Sequence, residues 1–238
     1  MAIGGFAFGS IAWWIPLFIY RPAWLADADP GRWAVAASKA TIASEDDRLV
    51  GWWCPAVRPG GTVVLILHGR SANITTRTGV MRALIAAGDG VLTIDYRGYG
   101  ASTGHPSEAG LNADALAAYD WLHRIGVARQ QIIVLGQSLG DTAADRFPWL
   151  PIGRLYWPCN RFDVVGNIGG VAAPVLLIAS ADDGLVPLSA SQRLAGRIDR
   201  PRWLRSDRFH HDGLLAGVAA TGGLATALER LARAPSDQ

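Results

Sequence analysis

Four short apolar runs leave this chain few folds to choose from. They are TVVLIL (62–67), VLTID (91–95), QIIVL (131–135) and PVLLIAS (174–180). Each is continuous rather than alternating, and each is rich in β-branched residues. That is the mark of a strand buried on both faces. Between the first and second, residues 75–87 place Val80, Met81, Leu84 and Ile85 on one helical face, with Gly88 as a stop. Between the second and third, Ser107 is placed to cap a helix that turns Leu111, Ala115, Leu122 and Ile125 inward and ends at Gly126. LVGWWCP (49–55) reads as an early strand, RWLRS (202–206) as a late one, and 213–233 as a closing helix loosened at Gly222-Gly223. The stretch before residue 45 reads as mixed. Strands alternating with helices predict an α/β fold, a mostly parallel sheet covered on both faces.

Active sites of open α/β sheets lie beyond the C-terminal ends of the strands. Ser138 follows the third run inside G-Q-S-L-G. Glycines two residues to either side of a serine suit a strained turn that projects the hydroxyl above a sheet. A serine nucleophile needs a base, and the base needs an orienting carboxylate. ADDGLVP, after the fourth run, offers Asp182 and Asp183, and RFHHD, after 202–206, offers His210 and His211. Solvated loops would explain either pair alone. Their position after successive strands, in the order Ser, Asp, His, favours a catalytic role. The tetrahedral intermediate also needs backbone N–H donors. Leu139 follows the nucleophile, and Arg70 lies in LHGRSAN after the first run. His68 reads as a brace for that loop, and DYRGYGAS (95–102) as a glycine-rich turn walling the site rather than a phosphate cradle.

Residues 2–20 carry no charge. As a helix they would span about 28 Å, near the hydrocarbon thickness of a bilayer. Trp13, Trp14 and Tyr20 suit an interfacial belt, and Arg21 a polar stop. A membrane anchor over 1–21 and a catalytic domain over 22–238 is the expected organisation. Arg21, Arg32 and Lys39 follow the span with no Lys or Arg before it, which puts the main domain on the cytoplasmic side. A cleaved signal peptide (Ala26-Asp27-Ala28), a buried core helix and an interfacial helix are the alternatives. Net charge is only +2, its positive part almost all scattered arginine, so nucleic acid is not an expected partner. Cys54 and Cys159 form no CxxC pair, and no His/Cys cluster has metal spacing; both read as small buried hydrophobes.

Taken together, LHG…N…R, IDYRGYGASTGHPSEAGLNADALAAYDWL, GQSLG and D-x-x-V-P resemble the α/β-hydrolase superfamily over about residues 45–225. The resemblance is to the branch of membrane-anchored serine hydrolases with lysophospholipase-like, protein-depalmitoylase-like and serine aminopeptidase-like members. It implies the α/β-hydrolase fold, a Ser138–Asp183–His210 triad, an oxyanion hole at Arg70 and Leu139, an N-terminal hydrophobic anchor, and no metal or organic cofactor. The acid's distance from V-P picks Asp183 over Asp182, and the spacing of the histidine from the following Asp picks His210 over His211.

One stretch departs from that pattern. After Gly140 the family carries a full helix and another buried strand. Here Pro148 and Pro151 follow almost at once, and 45 residues separate Ser138 from Asp183. A helix, a strand and two connections would add about 25 more. The expected fold therefore lacks one helix and one strand after the nucleophile. Asp141 also puts a negative charge near a forming oxyanion, which opposes catalysis. Ester or thioester hydrolysis on a lipid or acyl-protein substrate is the expected chemistry. A catalytically silent, membrane-tethered pseudo-hydrolase and a serine peptidase are the alternatives. The sequence names neither an acyl chain nor an oligomeric state.

Overall fold

The four apolar runs all fold as strands, and an extra strand precedes them. The computed structural model describes residues 20, 22–24, 28–69, 73–136, 175–183, 188–198 and 201–232. Its strands are β1 (Ser38–Ser44), β2 (Asp47–Cys54), β3 (Val63–Leu67), β4 (Gly90–Ile94), β5 (Ile132–Gly136), β6 (Leu176–Ser180) and β7 (Arg202–Ser206). The helices are α1 (Thr78–Ala87), α2 (Glu108–Arg124), α3 (Leu188–Ala195), α4 (His211–Ala220) and α5 (Gly223–Ala232), with short 3-10 turns at Pro30–Trp33, Ile74–Arg77 and Arg129–Gln131.

Five strands form one sheet in the order β1-β2-β4-β3-β5. β4, β3 and β5 are parallel neighbours, as their continuous apolar runs demand. The two faces are covered separately. Val64 and Ile66 pack with α1, α4 and α5 through Met81, Leu84, Leu215, Val218, Leu224 and Leu228. Val63 and Leu65 pack with α2 through Leu111, Ala118 and Leu122. Successive residues of β3 point to opposite faces, and both faces are dry, so no polar residue interrupts the run.

The sheet is mixed because β1 and β2 form an antiparallel hairpin and β2 is antiparallel to β4. β1 lies in the stretch that the sequence leaves as mixed. It buries Ala40, Ile42 and Ser44 and exposes the residues between, and one large apolar side chain makes a faint period of two. The closing helix is two helices, α4 and α5, broken at Thr221-Gly222. α3 has no counterpart in the sequence reading. Ser107 caps α2 as expected, its hydroxyl accepting from Gly110 N at 3.1 Å. Cys54 is half-buried, and burial pushes its thiol pKa up. Cys159 lies outside the described residues.

β6 and β7 form a separate parallel pair. Leu176, Ile178 and Leu204 pack against the same apolar cluster as α1 and α4, so the pair shares the core of the large sheet. Among the described residues β5 pairs only with β3, and no strand joins β5 to β6.

Residues 2–19 lie outside the described residues, and among those described no helix is long and apolar enough to cross a membrane. Tyr20 is not an interfacial residue: only 1% exposed, it packs among Leu65, Leu92 and Leu111 in the domain core. Its ring is drawn inward because Ala23, three residues on, is stitched to the sheet: Ala23 O accepts from Gly100 N (3.0 Å) and Asn73 Nδ2 (3.2 Å).

DYRGYGAS is a clasp rather than a bare wall. Arg97 sends Nε and one terminal nitrogen to Asp114 Oδ1 (3.0 and 2.8 Å), its backbone N–H to Asp114 Oδ2 (2.8 Å), and reaches Ser44 Oγ (3.1 Å) and Glu45 Oε2 (2.9 Å). One side chain thus ties the β4 loop to α2 and to the β1–β2 hairpin. Gly100, at φ +52°, lies flush on Asp95, where any Cβ would overlap the carboxylate.

Candidate active site

The candidate residues collect where strands end. β5 stops at Gly136, two residues before Ser138. Ser138 and Leu139 lie outside the described residues, as does Arg70, which follows Gly69 beyond the end of β3. Asp182 and Asp183 follow β6, and His210 follows β7.

Two elements position His210. It occupies the N-cap of α4 in extended backbone, with its side chain not used for capping. The preceding Phe209 lays its ring on Gly217, one side of α4 where a Cβ would collide with it. The histidine is thereby presented at the helix start. His210 Nδ1 lies 3.1 Å from Asp182 O and 3.3 Å from Asp182 Oδ2. Both partners accept, so Nδ1 carries a hydrogen, and in the neutral ring Nε2 is the base. The structure therefore brings His210 to Asp182, whereas family spacing points to Asp183. Asp182 and His210 are 52% and 81% exposed at the side chain, and Asp183 is the more buried of the two aspartates. His211 opens α4 one position further on.

The β3 loop is anchored at its far end. Asn73 caps the turn Ile74–Arg77, its Oδ1 accepting from Thr75 N (3.0 Å) and Thr75 Oγ1 (2.6 Å), while Thr76 Oγ1 bonds Asn73 O (2.8 Å). Arg77 is buried at the end of the same turn. The N and R of LHG…N…R are thus a loop anchor. Ser102 links the neighbouring loop to β2 by accepting from Val50 N (2.9 Å) and donating to Asp95 O (2.7 Å).

Fold comparison decides what this scaffold is. An esterase of Pyrococcus furiosus superposes over 89% of this chain and 97% of its own, at a TM-score of 0.66 and 19% identity. An uncharacterized protein of Mycobacterium tuberculosis is 34% identical over 183 residues, 65% of this chain and 64% of its own length. The lysophosphatidylserine lipase ABHD12 of Danio rerio is 28% identical over 191 residues, 60% of this chain and 49% of that protein. The chain has the α/β-hydrolase fold. No protein-family model matches it. It spans a little under two thirds of the length of the mycobacterial relative.

In the strand order seen here β2, β4 and β3 are the inner strands, and β5, which Ser138 follows in the sequence, is an outer one among the described residues. Sequence reasoning located those strand ends. It missed Asp95 and the Arg97–Asp114 pair as structural centres of the site's floor. The signal was present in the DYRG motif, but a single sequence does not show which helix residue Arg97 will meet.

Proposed function

We propose that this chain is a serine hydrolase acting on carboxylic esters or thioesters of lipid or acyl-protein type. Ser138 is the nucleophile, His210 the base, the Asp182–Asp183 pair the source of its orienting carboxylate, and the N–H groups of Leu139 and Arg70 the oxyanion donors. The observation that carries the reading is the meeting of His210 Nδ1 with Asp182 after β6, which leaves Nε2 of the neutral ring to act as the base. Ser138 Oγ would attack the acyl carbon as Nε2 takes its proton. The leaving alcohol or thiol would receive that proton, and water would cleave the acyl-enzyme by the same route. We assign Asp183 the orienting role. Asp183 is the more sheltered of the two aspartates and stands at the family position.

The alternative is a pseudo-hydrolase, favoured by the short connection after Gly140. A fluorophosphonate serine probe separates the two. The full chain is expected to be labelled at Ser138, with Ser138→Ala unlabelled. A wild-type chain that stays unlabelled while fully folded overturns the enzyme reading.

Residues 2–19 would anchor this enzyme to a membrane, with the catalytic domain on the cytoplasmic side. Because Ala23 is bonded to Asn73 and Gly100, the anchor would leave the domain beside the strand ends that carry the site. The full chain is expected to pellet with membranes and resist carbonate washing, and a chain starting at Arg32 to remain in the supernatant. A soluble full chain overturns the anchor.

A further inference from the structure

Two buried groups beneath the site have no part in that chemistry. His68, just past β3, and Asp95, just past β4, are both 0% exposed. His68 Nδ1 lies 2.8 Å from Gly69 O. A carbonyl only accepts, so Nδ1 carries the hydrogen and Nε2 of the neutral ring is a bare acceptor. Nε2 faces Asp95, 3.7 Å from Oδ1. Neither His68 Nε2 nor Asp95 Oδ2 has a hydrogen-bond partner. An ionised Asp95 would set acceptor against acceptor in a dry site, and one proton held by the two groups removes that conflict.

The same pair holds the connection after β3 from both sides. His68 grips Gly69 O, and Asp95 Oδ1 accepts from Ile74 N at 2.8 Å. Arg70 lies between those two grips. We propose that His68 and Asp95 are a one-proton positioning pair that fixes both ends of the loop carrying the oxyanion donor. Its effect on turnover rests on the serine-hydrolase reading above; its effect on folding does not.

The surroundings agree. Burial lowers the His68 pKa to about 4, opposed by the Gly69 bond and assisted by nearby Arg77. Burial raises that of Asp95 to about 7, opposed by the amides of Ile74 and Ala101. The rings of Tyr96 and Tyr99 close over His68 at centroid distances of 4.9 and 5.1 Å, and burial pushes the Tyr96 phenol up, so it stays neutral. Between pH 4 and 6.5 the folded pair holds one proton, on Asp95. The unfolded chain also holds one, on His68, since ordinary values are 3.8 and 6.5. Folding then moves no net proton at this pair, and the pair gives stability no slope in that window.

Breaking the pair from either side exposes opposite slopes. With Asp95→Asn only His68 remains, its folded pKa depressed, and stability rises with pH from 4 to 6.5. With His68→Leu only Asp95 remains, its folded pKa raised, and stability falls as pH rises from 3.8 to 7.

The test is urea unfolding of the full chain and both variants between pH 4.5 and 6.5. Relative to wild type, the unfolding constant of Asp95→Asn should fall, and that of His68→Leu should rise, each approaching about tenfold per pH unit. Variant curves parallel to wild type overturn the proposal. Should a variant fail to fold, the ¹⁵N–¹H spectrum of the wild-type His68 ring decides. A neutral, Nδ1-protonated ring retained to pH 5 supports the pair, and titration near 6.5 overturns it. Where the wild type is active, both variants should lose at least tenfold in kcat with KM little changed; unchanged kcat overturns the positioning role. An inactive wild type whose two variants still show the opposed slopes overturns the hydrolase reading alone.

Discussion

Replacing His210 with alanine is expected to lower turnover of a short-chain nitrophenyl ester by about 10⁴-fold, close to the loss from Ser138→Ala. Without a base the serine hydroxyl stays protonated, and a hydroxyl is a weak nucleophile at neutral pH. The two losses should not add, because nucleophile and base act as one unit. His211→Ala should cost little, since it is His210 whose Nδ1 meets Asp182. Asp183→Asn is expected to cost more than Asp182→Asn. An amide in the orienting position would accept poorly from Nδ1–H and favour the wrong tautomer. Steady-state rates of the five variants check all of this. A larger loss from Asp182→Asn would make the 3.3 Å contact the working one. A larger loss from His211→Ala would move the histidine by one residue.

How much of this was legible beforehand depends on how each residue earns its place. The central strands were legible because burial on both faces writes itself into every position: Val63 to Leu67 carry no polar residue at all. β1 was not, because a hairpin strand at the sheet edge buries only alternate positions and used alanine and serine for two of them. β7 was legible within RWLRS despite three polar residues, since it follows a turn and pairs in register with β6. The site divides the same way. Short-range spacing picks Ser138, His210 and the acidic pair as candidates because they come after strands in the sequence, and β5, β6 and β7 do end before them. It does not say which aspartate will face the ring, because one residue of register in a loop changes the direction of both side chains. Asp95 looked like the end of a strand, and its meeting with His68 depends on β3 and β4 being neighbours, a tertiary fact. Tyr20 looked like an interfacial residue because hydropathy counts it with its neighbours, and only the bonds at Ala23 reveal that the chain has already turned into the domain.

The Arg97 clasp should dominate stability as the triad dominates turnover. Asp114 is fully buried at the side chain, and Arg97 meets it with two guanidinium bonds, adding its own backbone N–H. The bonding to Asp114 raises the Arg97 pKa further, ahead of the opposing effect of burial, so the charge is permanent. Arg97→Met would leave the Asp114 carboxylate buried with Ser44 Oγ and one amide as partners. Breaking a buried pair from one side costs about 3–5 kcal/mol, which for a chain of this size lowers Tm by on the order of 10 °C. Arg97→Lys should recover only part of that, because an ammonium cannot reach Asp114, Ser44 and Glu45 in the geometry of the fork. The double variant Arg97→Met/Asp114→Leu should be more stable than Arg97→Met alone, since it removes the uncompensated charge. Urea unfolding at pH 7 measures all three against wild type. If Arg97→Met and the double variant unfold at the same urea concentration, the cost does not come from a stranded Asp114, and the clasp holds the loop through its shape instead.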